Sequence, residues 1–226
     1  MTGQDMRYLK SKIWQIIRLG QTMPIFRIDN KNVLFIHIAK TGGTTIERYL
    51  ESYAPINMHG RGRKILRPYP DNIFGGALPL QHFHGALLET MFDSGFFEYV
   101  FMVVREPLER LKSEFRHSRR IGRIETRLSF DAWTRLELTL AAINPSRRSN
   151  HYRPQAQFAC LGAEVFHFEE GMTSILSRVC SKLGLPEPTD VPHERQSDEI
   201  PINVPPACRA RVRRFYAEDY STFGYA

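Results

Sequence analysis

The sequence predicts an α/β fold of three layers, α/β/α, around a central parallel sheet. Three observations predict it. Two segments, 33–38 and 99–104, are unbroken or nearly unbroken runs of β-formers, the pattern of strands buried on both faces. Each run is followed by apolar residues at helical spacing, so strands alternate with helices. The chain has 226 residues, 42% of them apolar and 24% charged, which suits one domain spanning 1–226 with a single core.

The elements follow in order. Met6, Leu9, Ile13, Ile16 and Ile17 mark an amphipathic helix within residues 1–31, the remainder of which is a lead-in. Residues 32–38 are the first core strand and 44–52 the first helix. Residues 53–80 are rich in Pro, Gly and Arg and read as a long functional loop. A short strand at 80–84 leads into a helix that runs through Met91. The strand 99–104 is followed by a helix from Pro107 to about 119, with Pro107 in the first turn, where its missing N–H costs nothing. Residues 130–142 form another helix, 144–154 a loop, 164–168 a last strand and 171–183 a helix. Residues 186–206 form an irregular Pro-rich arm, and 209–220 a closing helix.

The chemistry concentrates where the first strand ends. Val33-Leu-Phe-Ile-His-Ile-Ala-Lys40-Thr-Gly-Gly-Thr-Thr45 passes from strand through a glycine turn into a helix N-terminus. Glycines let backbone N–H groups turn toward a ligand, and the helix dipole adds partial positive charge there. Lys40 contributes a full charge, and the threonine hydroxyls donate to phosphate or sulfate oxygens. The loop is P-loop-like, yet it departs from the G-x-x-x-x-G-K-[ST] order, because Lys40 precedes Gly42 and Gly43. A second signal is Arg105-Glu-Pro-Leu-Glu-Arg110-Leu-Lys-Ser113, which leaves the carboxyl end of the second strand, where open α/β sheets bind ligands.

Together these segments resemble the PAPS-dependent sulfotransferases, specifically the carbohydrate sulfotransferase-like, family 2 type with its bacterial branch. PAPS is 3′-phosphoadenosine 5′-phosphosulfate. The first segment resembles the family's 5′-phosphosulfate loop, (P/A)-K-T-G-G-T-[ST]. The second resembles its 3′-phosphate motif, R-[DE]-P-x-x-R-x-x-S, with Glu106 in place of the commoner aspartate. The resemblance implies PAPS as donor, PAP as product and no metal. It assigns cofactor contacts to Lys40, Thr41, Gly42, Gly43, Thr44, Thr45, Arg105 and Ser113. The tail Tyr216-Ala-Glu-Asp219-Tyr-Ser-Thr-Phe-Gly-Tyr225 is similar to the family's closing segment, so the likeness runs from about residue 32 to the C-terminus.

Sulfuryl transfer needs a positioned donor, stabilisation of the leaving phosphate and a base for the acceptor hydroxyl. Lys40 suits the second task, and histidine suits the third near neutral pH. His82 and His84 lie between the two phosphate motifs, where the family usually places its catalytic histidine. Two apart on a strand, they would share a face. Catalytic roles are therefore assigned to Lys40, His82 and His84. His37 reads as a core residue, and His151 as a contact to the acceptor.

The net charge of +7 favours an anionic partner. A phosphate- and sulfate-bearing nucleotide with a glycan or glycolipid acceptor accounts for it, and no nucleic-acid module is present. The arginines at 116–127 and 209–214 read as solvated helix faces. Cys160, Cys180 and Cys208 show no C-x-x-C spacing and no metal pattern. No apolar run approaches the roughly 18 residues of a membrane span, and the N-terminal stripe lacks the form of a signal peptide. A cytoplasmic, bacterial-type enzyme with at most peripheral membrane contact is expected. The competing functions are a P-loop-like nucleotide kinase and a non-catalytic nucleotide- or polyanion-binding module.

Overall fold

The computed structural model describes residues 24–54, 56–57, 64–65, 78–189, 191 and 201–226. The expected N-terminal helix and most of the 53–80 loop lie outside the described residues. A five-stranded sheet has the order β3-β1-β2-β6-β7, built from β1 (Ile25–Ile28), β2 (Lys31–Ile36), β3 (Ile56–Asn57), β6 (Tyr99–Val104) and β7 (Glu164–His167). A separate two-stranded ribbon pairs β4 (Lys64–Ile65) with β5 (Leu78–Pro79). The centre of the main sheet is parallel, β2 with β6 and β6 with β7. Its other edge is antiparallel, because β1 pairs with both β2 and β3.

β1 corrects the expectation of a lead-in through residue 31. Asp29 and Asn30 take φ of 43° and 63°, so two residues reverse the chain and return it as β2. This is the backbone of a tight hairpin, and Asp and Asn tolerate the left-handed region it requires.

Helices cover both faces, as α1 (Gly43–Glu51), α2 (Gly85–Met91), α3 (Pro107–Arg120), α4 (Phe130–Ile143), α5 (Met172–Leu183), α6 (Pro206–Phe215) and α7 (Ala217–Phe223). Alternation along the strands decides which face each residue joins. Val33, Phe35, Phe101, Val103 and Phe166 pack with Ile46 and Leu50 of α1 and with Ile175, Leu176 and Val179 of α5. Leu34, Ile36, Val100, Met102 and Val104 pack on the opposite face with Leu88 of α2 and Phe158. A third cluster joins Leu108, Leu111 and Phe115 of α3 to Phe130 and Trp133 of α4 and Cys208 and Val212 of α6. Each such buried side chain contributes roughly 1.5–3 kcal/mol.

Two further expected elements differ. Residues 80–82 form a single 3₁₀ turn rather than a strand, and His84 caps α2. Pro79 ends β5 with a fixed φ and no N–H to extend a ladder, and the chain turns there instead. The closing helix is two helices, α6 and α7, broken at Tyr216. Among the arginines, Arg119, Arg120, Arg127, Arg209, Arg213 and Arg214 are exposed, whereas Arg123 bonds Glu114 and Arg211 bonds Asp131. Among the described residues, no helix is long and apolar enough to cross a membrane.

Candidate active site

The carboxyl ends of the three parallel strands meet in a cleft of about 300 Å³, within the size range of small-molecule sites. Its lining includes His37, Lys40, Gly42, Gly43, Thr44 and Thr45 after β2, Arg105 and Ser113 after β6, and Phe168 after β7. Gln81, His82, His117 and His151 complete it.

The loop after β2 is tightly determined. Lys40 has φ 72° and Gly42 φ 82°, and Gly42 is the residue from which α1 starts. A Cβ at Gly42 would stand 2.4 Å from Met172 Cε, and one at Gly43 would stand 2.4 Å from the His37 ring. Gly43 is therefore required by its packing against a ring, whereas Gly42 is required by its left-handed backbone, since the Met172 methyl is the end of a flexible side chain. The first turn of α1 presents N–H groups that the helix itself does not use, at the positive end of its dipole.

Thr41 is placed differently from the other loop residues. It is fully buried, its hydroxyl donates to the Ile38 carbonyl at 2.9 Å, and it does not line the cleft. Its side chain thus closes the loop and does not face the cleft.

Arg105 is held from several sides. Its N–H donates to Gln155 Oε1 at 2.9 Å, and Gln155 Nε2 donates back to the Arg105 carbonyl at 2.8 Å. Its guanidinium lies 4.3 Å over the Phe168 ring, and Nη1 reaches the Lys40 carbonyl at 3.4 Å. Its Nε is buried with no hydrogen-bond partner among the described residues. A half-buried guanidinium that borders a cleft beside a helix N-terminus fits an anionic ligand group. Ser113 lies two turns into α3, with Glu106 capping that helix by accepting from the Glu109 N–H at 2.6 Å.

The C-terminal segment explains itself as support for this end. Asp219 is fully buried and accepts from the Ala156 N–H at 2.9 Å and from Gln155 Nε2 at 3.3 Å. Tyr220 donates to Glu106 Oε1 at 2.6 Å. The tail thus fixes the Gln155 that clamps Arg105 and the Glu106 that caps α3.

The other wall is built of histidines. His82 is buried, and its Nδ1 lies 3.2 Å from the His37 carbonyl oxygen. A carbonyl only accepts, so that nitrogen carries the proton and the Nε2 lone pair faces Gln81 Nε2 at 3.2 Å. Burial, then the neighbouring His37 and His151, push the His82 pKa well below the ordinary histidine value, so the ring is neutral. His117 is lowered to about 4, by burial first and Lys40 second. His151 Nδ1 meets Glu114 Oε2 at 2.9 Å, and His37 Nδ1 meets Glu47 Oε1 at 2.6 Å. His37, read from the sequence as a core residue, is buried and yet also borders the cleft.

His84 does not share the wall with His82. It is the N-cap of α2, its carbonyl accepts from the Leu87 and Leu88 N–H groups, and it does not line the cleft. The shared strand face expected for the two histidines is absent because the segment turns between them. Sequence reasoning missed Gln81, His117 and Phe168. His117 had a legible signal, one turn beyond Ser113 on the same helix.

One buried arginine ties the two walls together. Arg110 donates Nε to the Ala39 carbonyl at 3.1 Å, Nη1 to the Arg153 carbonyl at 3.0 Å and Nη2 to the His151 carbonyl at 2.9 Å.

A mostly parallel sheet with a phosphate-type cradle at the carboxyl ends of its strands defines an α/β protein that handles anionic groups. The sulfotransferase family model matches residues 23–226, and the chain belongs to that family. It is accordingly a transferase, and the family's chemistry is sulfuryl transfer from a sulfate donor to a hydroxyl acceptor. No curated protein and no solved structure matches the chain.

Proposed function

We propose that this protein is a PAPS-dependent O-sulfotransferase acting on a glycan or glycolipid hydroxyl. The observation that carries the reading is the convergence of both phosphate motifs, Lys40 to Thr45 and Arg105 with Ser113, on one cleft. Gly42, Gly43, Thr44 and Thr45 would hold the 5′-phosphosulfate end, and Arg105 and Ser113 the 3′-phosphate. The acceptor oxygen attacks sulfur in line, forming an O–S bond as the bond to the 5′-phosphate oxygen breaks. The departing electron pair rests on that phosphate oxygen, where Lys40 stabilises it. A cleft histidine accepts the hydroxyl proton, and of the sequence-nominated pair His82 borders the cleft.

The carbohydrate-type motifs and the +7 net charge support an acceptor bearing sugars. The three buried free thiols support a reducing, cytoplasmic setting. The test is incubation with PAPS and a glycan and glycolipid panel, alongside ATP with Mg²⁺. Acceptor-dependent PAP release is expected. Phosphoryl transfer from ATP, with no binding of PAP, would overturn the reading.

A further inference from the structure

Five titratable groups stand in a row along the histidine wall. Glu47 holds His37, the His37 and His82 ring centroids are 5.0 Å apart, those of His82 and His151 are 5.2 Å apart, and Glu114 holds His151. Each histidine has its Nδ1 against a protein oxygen, which leaves Nε2 as the remaining nitrogen of all three rings. Their surroundings differ enough to assign roles.

We propose that His151, positioned by Glu114, accepts the proton of the acceptor hydroxyl, while His82 serves beside it as a hydrogen-bonding group. This deepens the sulfuryl-transfer reading and rests on it. A base needs an available lone pair and a place for the positive charge it acquires. His151 has both, because the carboxylate 2.9 Å from Nδ1 faces the charge that forms on the ring.

Glu114 is nearly fully buried and is further supported by Ser118 Oγ at 3.0 Å and Arg123 Nη1 at 3.2 Å. Burial alone would raise its pKa. His151, then Lys40 and Arg123, outweigh that and hold it at about 2, so it remains a carboxylate throughout the working range.

Each of the other imidazoles lacks the carboxylate or the open nitrogen. His82 has only a carbonyl at Nδ1, and a charge there would sit buried between two other histidines. His37 turns its Cδ2–Nε2 edge onto Gly43, so that edge is filled by the phosphate loop. His117 accepts from Arg120 at 3.1 Å and stands in the field of Lys40. The groups that act on the His151 neighbourhood are thus Glu114 and His117 from α3, His82 from the turn before α2, Lys40 from the loop after β2, and Arg123 behind Glu114.

The backbone also commits to this placement. Arg148, Ser149 and Asn150 take φ of 53°, 58° and 66°, an uncommon run of left-handed residues immediately before His151. Asn150 is fully buried and donates Nδ2 to the His82 carbonyl at 2.8 Å, locking the two histidine segments together. In the step itself the hydroxyl proton moves to His151 Nε2 as the oxygen bonds sulfur. The proton then leaves to solvent from a side chain that is 17% exposed.

The test uses the full chain, PAPS and whichever acceptor the panel identifies. His151→Ala and His151→Asn should each lower kcat by about a hundredfold to ten-thousandfold while PAP affinity stays within about threefold. Glu114→Gln, which keeps shape and removes charge, should lower kcat by roughly tenfold or more, again without loss of PAP affinity. The acidic limb of the pH–rate profile should persist in His82→Ala and vanish in both His151 variants. PAP binding reports that each variant is folded. The proposal is overturned if the limb survives in the His151 variants, or if it vanishes in His82→Ala alone. A wild-type chain that binds PAP but releases none with any acceptor would overturn the underlying reading, and this assignment with it.

Discussion

The two ends of the cleft are built on different principles. The end proposed for the nucleotide is contiguous in sequence: Lys40 to Thr45 follow one strand, and Arg105 to Ser113 follow the next. The histidine end is assembled from three separate segments, around residues 37, 82 and 151, joined by buried polar contacts from Glu47, Glu114, Asn150 and Arg110. A site whose ligand is a set of phosphates can be made from strand ends and helix N-termini, because backbone N–H groups do much of the binding. Handling a proton needs side chains at set angles, and the fold must bring their partners from a distance.

If that division is right, variants at the two ends separate kinetically. At the end that holds Lys40, Lys40→Ala carries the largest expected effect, a loss of roughly a hundredfold to a thousandfold in turnover. It should also weaken PAP binding, in contrast to the His151 variants. A folded Lys40→Ala protein with turnover within about threefold of wild type would break the comparison.

A smaller effect sharpens the account of the histidine end through stability. Glu114 is held at about 2 against an ordinary value of 4.5. A depressed carboxylate contributes stability above its unfolded value, and the contribution is lost as pH falls from about 4.5 toward 2. The shift corresponds to roughly 3 kcal/mol at neutral pH. Urea unfolding should find wild type more stable than Glu114→Gln at pH 7, with the gap narrowing by pH 3. A gap independent of pH would mean that the carboxylate charge is not what Glu114 contributes.

The same division explains what could be read from the sequence. The strand 99–104 and the start of the following helix at Pro107 were fully legible, because an unbroken apolar run and a proline at the first helical position are local signals. Lys40, Arg105 and Ser113 were legible through spacing, and all three line the cleft. The hairpin at Asp29 and Asn30 carried a local signal too, in two adjacent residues that tolerate the left-handed region, although the segment reads as a lead-in from its apolar pattern alone.

The histidine end was only partly legible. A short strand is expected at 80–84, but five residues carry too little pattern to tell a strand from a turn, and the 3₁₀ turn found there separates His84 from His82. No glycine announces the left-handed run at 148–150. It is stabilised by tertiary bonds such as Asn150 to His82, and nothing local encodes those. Arg110 sits inside the phosphate motif, yet its three bonds to the carbonyls of Ala39, His151 and Arg153 make it an architectural residue joining the two ends.

The central claim, that the cleft is built for a nucleotide carrying a 3′-phosphate, is tested most directly by calorimetry with PAP and with adenosine 5′-phosphosulfate on wild type and Arg105→Ala. Losing a charge-assisted contact of roughly 1.5–3 kcal/mol predicts a drop in PAP affinity of about tenfold to a hundredfold. Affinity for adenosine 5′-phosphosulfate, which lacks the 3′-phosphate, should change by less than about threefold. An equal loss for both nucleotides would contradict the account and make Arg105 a structural residue only.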